Sequence, residues 1–229
     1  MGRVIFDIET AGKDLSELEE PFRQYFSRWH ESEEELQESL SFYPLTGEIV
    51  AIGLLNPDTR RGAVYFQAPA DEGFLPFEEE GIRYEAGTER EVLEKFWAAI
   101  RHYDQFITFN GRGFDCPFIL VRSAVHRVRP TCQLMPNRYG EAHIDLLDQL
   151  TFYGATRRRF SLELWCRALG IPSPKAELKG HEVRELFRQG RYLEIARYCV
   201  GDLWATKALL EFWENYIRFS PESKKDVRA

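Results

Sequence analysis

The run Val4-Ile5-Phe6-Asp7-Ile8-Glu9-Thr10 sets two carboxylates inside an apolar stretch. Side chains alternate along an extended strand, so Asp7 and Glu9 share one face about 6–7 Å apart, while Val4, Phe6 and Ile8 take the other. Two carboxylates on one face of a core strand repel each other and lose hydration unless a cation sits between them. A divalent metal held by oxygen ligands removes both objections. The same pattern also fits a strand with its charges in water. Which holds turns on whether further oxygen ligands appear downstream.

The chain has 229 residues, 44% of them hydrophobic and 14% aromatic, which fits a globular protein of one large domain or one domain with an insertion. No apolar run approaches the ~20 residues of a membrane span, and residues 1–10 lack the charge pattern of a signal peptide, so the expected location is cytoplasmic and no membrane partner is expected. Cys116, Cys132, Cys166 and Cys199 are scattered, with no CxxC or zinc-like spacing, and read as reduced, mostly buried thiols. A net charge of −7 argues against a nucleic-acid-coating protein but allows an enzyme whose metals and local arginines supply positive charge.

After the opening strand, Leu15, Leu18, Phe22, Tyr25, Phe26 and Trp29 recur at helical spacing; Leu36 and Leu40 resume the stripe beyond an acidic run at Glu31 to Glu35. Two amphipathic helices are expected, forming an insertion over about residues 11–47. It is pinned beside the carboxylates at both ends. It therefore either walls one side of a cleft or packs against the sheet edge. Strands at 48–55 and 62–66, joined by Asn56-Pro57-Asp58-Thr59, should form an antiparallel hairpin, followed by a loop from Ala68 to Gly81. Thr88 and Glu91 make a capping box for a helix whose apolar face is Val92, Leu93, Phe96, Trp97 and Ile100. A strand is expected at 106–109, a helix at 114–126, a strand at 143–147, and helices near 160–170, 181–189 and 192–217. The polar stretch 220–229 reads as a tail.

Two further acidic elements stand out. Phe109-Asn110-Gly111-Arg112-Gly113-Phe114-Asp115 follows an apolar strand and opens a helix, where ligand groups collect in open α/β sheets. Asp115 can serve a ligand or cap the helix, and Asn110 can bond substrate or the loop itself. With neither GxxxxGK[ST] nor GxGxxG present, no nucleotide cofactor is expected. In Tyr198-Cys199-Val200-Gly201-Asp202 the tyrosine and aspartate are four apart and project from one side of a helix.

Taken together, Asp-x-Glu on the first strand, Asp after a later strand and Tyr-x-x-x-Asp on a late helix resemble the DEDDy branch of the 3′–5′ exonucleases, within the DnaQ-like, ribonuclease H-like superfamily. The phrasing looks closest to the predicted exonucleases related to the exonuclease domain of family-B DNA polymerases. Leu45-Thr46-Gly47-Glu48-Ile49-Val50, Ile144-Asp145-Leu146, Phe160-Ser161-Leu162 and Ala168-Leu169-Gly170-Ile171 add to the match, which runs from about Arg3 to Trp213. The helical insertion after Thr10 departs from it.

The resemblance implies an α/β, ribonuclease H-like fold with a mixed five-stranded sheet flanked by helices, and one exonuclease domain over residues 1–219. It implies that Asp7, Glu9, Asp115 and Asp202 hold two divalent ions, Mg²⁺ or Mn²⁺, and that Tyr198 orients the attacking water. Thr10, Asn110 and Phe114 would touch substrate, the 3′ end of single-stranded DNA or RNA, with DNA favoured. Four carboxylates without a His or Cys partner suit hard ions and disfavour zinc. The alternative is a catalytically silent binding or scaffold module that keeps the fold. Asp145 and Asp148 read as structural. Arg157-Arg158-Arg159, with Arg122, Arg127 and Arg129, are candidates to meet a nucleic-acid backbone, Tyr153 to stack a base, and His181 to touch a phosphate.

Overall fold

The alternation in the opening stretch is obeyed in the computed structural model, which describes residues 2–172 and 182–219. Strand β1 (Arg3–Gly12) turns Val4, Phe6 and Ile8 into one hydrophobic cluster and Ile5 and Ala11 into another on the opposite face. The chain then runs through α1 (Glu20–Phe26) and α2 (Glu33–Ser39) before returning as β2 (Gly47–Asn56), antiparallel to β1. β3 (Arg61–Gln67) completes the expected hairpin, with Ala51 opposite Phe66 and Asn56 opposite Arg61. Its turn is set by Asn56, whose Oδ1 accepts the N–H groups of Asp58 and Thr59, both at 2.9 Å.

Two further strands then appear, β4 (Phe77–Glu79) inside the expected loop and β5 (Ile82–Gly87) just after it. The sheet therefore has seven strands rather than five, in the order β4-β5-β3-β2-β1-β6-β7. In β5 only Ile82 and Tyr84 are buried, among charged neighbours, so its alternation was short and weak in sequence. α3 (Glu89–Ile100) begins at Thr88 with both hydrogen bonds of the expected capping box.

β6 (Gln105–Thr108) runs parallel to β1, and β7 (His143–Asp145) parallel to β6, with α4 (Asp115–Val125) between them. The strand expected over 143–147 stops at Asp145, because Asp145 caps α5 (Leu146–Leu150) by accepting the Leu147 N–H at 3.0 Å. α6 (Leu162–Ala168), α7 (Val183–Arg188) and the 25-residue α8 (Tyr192–Tyr216) follow. α3 and α4 cover the Val4–Phe6–Ile8 face; α8 covers the other face at β1, β2 and β3. No described helix is long and apolar enough to cross a membrane. All four cysteines are free.

The insertion keeps a small core of its own, in which Leu18, Phe26, Leu36 and Leu40 are buried. The expected continuous stripe is broken: α1 ends at Phe26, so Trp29 falls outside it and is 73% exposed, and Tyr25 is also exposed. Phe22 and Phe26 line an apolar groove of about 530 Å³ with Tyr25, Tyr43, Leu45 and Val121. The excursion is tied back to β1 by Thr10 Oγ1, which donates to the Ser41 carbonyl at 2.8 Å.

Candidate active site

β1 presents Asp7 and Glu9 to the face that meets α8. Asp7 is half-buried and Glu9 buried, and one carboxylate oxygen of each lies within 4.8 Å of the other and of Cys199 Sγ. The helix comes this close because Gly53, paired with Asp7 across β2, has no side chain. A Cβ there would sit 2.7 Å from Leu203 Cδ1 and 3.0 Å from Cys199 Sγ. The Cys199 thiol donates to the Asp7 carbonyl at 3.6 Å, locking helix to strand.

Burial pushes the Cys199 thiol well above its ordinary value, and the charges of Asp7, Glu9, Asp202 and Asp115 push the same way. Both effects favour the protonated thiol over the thiolate. The charges of Asp115 and Asp202 thus reach the thiol that lies beside Asp7 and Glu9. Asp202 is buried one turn beyond half-buried Tyr198 on α8. Asp115 is the first residue of α4, and its Oδ1 accepts the N–H of Ile8, the residue between Asp7 and Glu9, at 3.1 Å. Burial pushes its carboxyl up to about 7; Asp145 and Asp202 add to the shift, and the hydrogen bond from Ile8 opposes it.

The loop that carries Asp115 over the strand ends is clamped. Asn110 is left-handed, with φ of 63°, and its N–H and that of Arg112 donate to the two Asp145 oxygens at 2.9 and 3.0 Å. Gly111 admits no side chain, since a Cβ would lie 2.4 Å from Thr108 Oγ1. Burial raises the Asp145 pKa, against the pull of those N–H donors. Asp145 thus holds the loop, and Asp148 pairs with Arg138, the structural uses expected of both.

Among the proposed substrate contacts, Asn110 Oδ1 accepts from Arg159 at 3.1 Å. Thr10 is buried, its hydroxyl engaged by Ser41. Phe114 is half-buried and packs against Phe118 with ring centroids 5.4 Å apart. Arg122 departs from its expected role in a basic surface patch. It is buried and pairs with Glu89, because α3 and α4 meet there. His181 lies outside the described residues. Sequence reasoning did not anticipate Cys199 as a neighbour of the carboxylates or Asp145 as the loop's clamp. The one legible signal was that Asn110 follows one short apolar strand and Asp145 lies in the next.

The donor set fits a hard divalent ion. Asp7 and Glu9 offer hard oxygen donors, and burial disfavours the thiolate form of the one sulfur beside them. His143, on β7, is already used: its Nδ1–H faces the Leu134 carbonyl and its Nε2 the Thr108 hydroxyl, both at 2.8 Å, and burial pushes its pKa down to about 4.

A family model described as a predicted 3′–5′ exonuclease related to the exonuclease domain of PolB matches residues 76–219. That span includes Asp115, Tyr198 and Asp202; Asp7 and Glu9 lie upstream of it. A DNA polymerase of Pyrococcus glycovorans is 28% identical over 144 residues, which cover 53% of this chain and 18% of the polymerase. The family B DNA polymerase of Pyrobaculum calidifontis superposes with a TM-score of 0.58 at 17% identity, over 93% of this chain and 24% of that one. The chain thus spans about a fifth to a quarter of these relatives, and the second likeness is one of fold.

Proposed function

Because the chain belongs to the predicted 3′–5′ exonucleases related to the exonuclease domain of PolB, we propose that it is a metal-dependent 3′–5′ exonuclease acting on the 3′ end of single-stranded nucleic acid, with DNA favoured. The observation that supports this reading is the pairing of Asp7 and Glu9 on one face of β1, with Asp115 bonded to the Ile8 N–H between them and the Asp202 charge acting on the same buried thiol. Unneutralised carboxylates in so dry a place are costly, and a site that needs divalent cations explains why they are there.

Asp7, Glu9, Asp115 and Asp202 are the residues that would hold Mg²⁺ or Mn²⁺. When bound, a pair of such ions lowers the pKa of water and offsets the charge that builds up on a phosphodiester during in-line displacement. The protein's own part is positioning. Cys199 and Gly53 fix α8 against β1, so that Tyr198 and Asp202 are carried on a rigid element beside Asp7. Tyr198, one turn before Asp202 on α8, would serve as an orienting hydroxyl for the attacking water. Asp145 keeps the 110–115 loop closed over the strand ends, which aims Asp115 at Ile8 and leaves Asn110 and Phe114 at the rim for the terminal nucleotide. Residues 1–219 are read as one exonuclease domain, since α8 packs on the first strands of the sheet.

The test is incubation of 5′-end-labelled single strands of DNA and of RNA with Mn²⁺. A ladder that shortens one nucleotide at a time, abolished by EDTA, is the expected result, and its rate on the two polymers reads the preference. No ladder on either polymer, from protein shown to be folded, would leave the silent scaffold as the function.

A further inference from the structure

The loop leaving α5 is built in a way that the carboxylate site does not require. Phe152, Tyr153 and Gly154 have φ values of 50°, 55° and 96°, three left-handed residues in a row. Glycine adopts that conformation freely, whereas two bulky aromatic residues resist it. It is held by hydrogen bonds from the Tyr153 N–H to the Asp148 carbonyl at 2.7 Å and from the Gly154 N–H to Thr151 at 3.1 Å. The outcome of this strain is exposure. Phe152 stands 62% exposed, and Tyr153 keeps a face open while its hydroxyl is pinned by Gln149 at 2.8 Å. Tyr139, 73% exposed on the preceding loop, lies with its ring centroid 4.9 Å from that of Tyr153. Arg138 is held by Asp148 at 2.8 Å and lies 5.9 Å over the Tyr153 ring.

Next to these rings come Arg157, Arg158 and Arg159, all exposed. Arg159 reaches Asn110 in the loop that carries Asp115, while Arg157 and Arg158 make no ion pair among the described residues. β1, β6 and β7 are parallel neighbours, so their carboxyl ends open on one edge of the sheet. That edge receives Asp7 and Glu9, then the 110–115 loop, then α5 and the aromatic loop. On the far side of β1 lies the insertion, where residues 13–45 hold nine acidic and three basic residues, a net −6 of the chain's −7. A polyanion whose end sits at the carboxylates is repelled on the β2 side and attracted on the β7 side.

We propose that Tyr139, Phe152 and Tyr153, with Arg138, Arg157 and Arg158, form a stacking platform for unpaired bases of a single-stranded nucleic acid several nucleotides before the 3′ end. This deepens the exonuclease reading and rests on it. Aromatic faces accept any base, and arginines follow the backbone, so the platform tolerates every sequence but needs bases free of a partner strand.

Binding of fluorescent oligothymidylates in EDTA tests the platform without hydrolysis. Wild-type affinity should rise markedly between about four and about twelve nucleotides, the shorter length filling only the carboxylate end. Tyr139→Ala and, separately, Arg157→Glu with Arg158→Glu, all at exposed positions, should each weaken the longer oligonucleotide about tenfold and bind the shorter one as the wild type does. Unchanged binding of the longer strand in both variants would overturn the proposal. So would a wild type that binds both lengths equally or neither. A protein with this length dependence that gives no ladder with Mn²⁺ keeps the platform and loses the catalytic reading.

Discussion

Asp115 is held with its carboxyl buried, among like charges, and pushed up to about 7 from an ordinary 3.8. The folded protein then binds that proton more tightly than the unfolded chain does. The associated stabilisation is complete below 3.8 and is lost as the pH rises through about 7. Metal-free protein should therefore melt at a progressively lower temperature between pH 5 and pH 8, and Asp115→Asn should flatten that slope. A slope that persists in the variant assigns the effect elsewhere. On the proposed reading, Asp7→Ala should lower hydrolysis at least about 100-fold, because a ligand shared by two ions would be lost, and with it several kcal/mol of transition-state stabilisation. It should also raise the melting temperature measured in EDTA, since one of two facing carboxylates has gone; calorimetry beside a ladder assay reads both. Asp7 and Glu9 were legible in the sequence because a strand's period of two is a local rule. Cys199 and Asp145 were not, because their roles depend on which helix crosses which strand, and no local period encodes that.

At the scale of elements, the strongest polar joint lies away from the site. Glu89 at the start of α3 accepts from Arg122 on α4 at 2.7 and 2.6 Å and from the Ile49 N–H on β2 at 2.8 Å, with His126 at 2.6 Å. Burial pushes the Glu89 carboxyl up, but the bonds and charge of Arg122 outweigh it and leave the pKa below the ordinary 4.5. This contribution is present above 4.5 and lost as the pH falls below it. Glu89→Ala strands a buried guanidinium and should cost about 3–5 kcal/mol by urea denaturation. Gly53→Val drives a side chain into Leu203 and Cys199, which should cost about 1–3 kcal/mol. It should also slow hydrolysis by shifting Asp202, and a variant as active as the wild type would show that α8 need not sit so close. The capping box of α3 and the β2–β3 hairpin could be read ahead because each carries its own signal within a few residues. β4 and β5 could not, since charged residues interrupt both and pairing makes them strands, β5 with β3 and β4 with β5.

Across the whole molecule, charge is sorted rather than spread: the insertion holds almost all of the net negative charge, and the arginines of the aromatic loop sit beyond β7. Replacing Glu33, Glu34 and Glu35 together by Gln should speed association with a single-stranded oligonucleotide at low ionic strength by a few-fold and leave it unchanged at high salt. Stopped-flow mixing at the two salt concentrations measures this, and an equal gain at both would mean that the acidic run acts by contact rather than by field. The acidic run was plain in the sequence, but its position opposite the arginines needed the strand order, which places residues far apart in the chain on either side of β1.

Cys199 touches the Asp7 carbonyl across 192 residues of sequence, and that separation has a bearing on how the protein is made. A nascent chain emerging from the ribosome presents Asp7 and Glu9 well before α8, which carries Tyr198 and Asp202. At about 5–20 residues per second, the earlier strands wait on the order of ten seconds for the helix that completes them. On the proposed reading, the carboxylate site stays incomplete, and without hydrolytic activity, until α8 has been made.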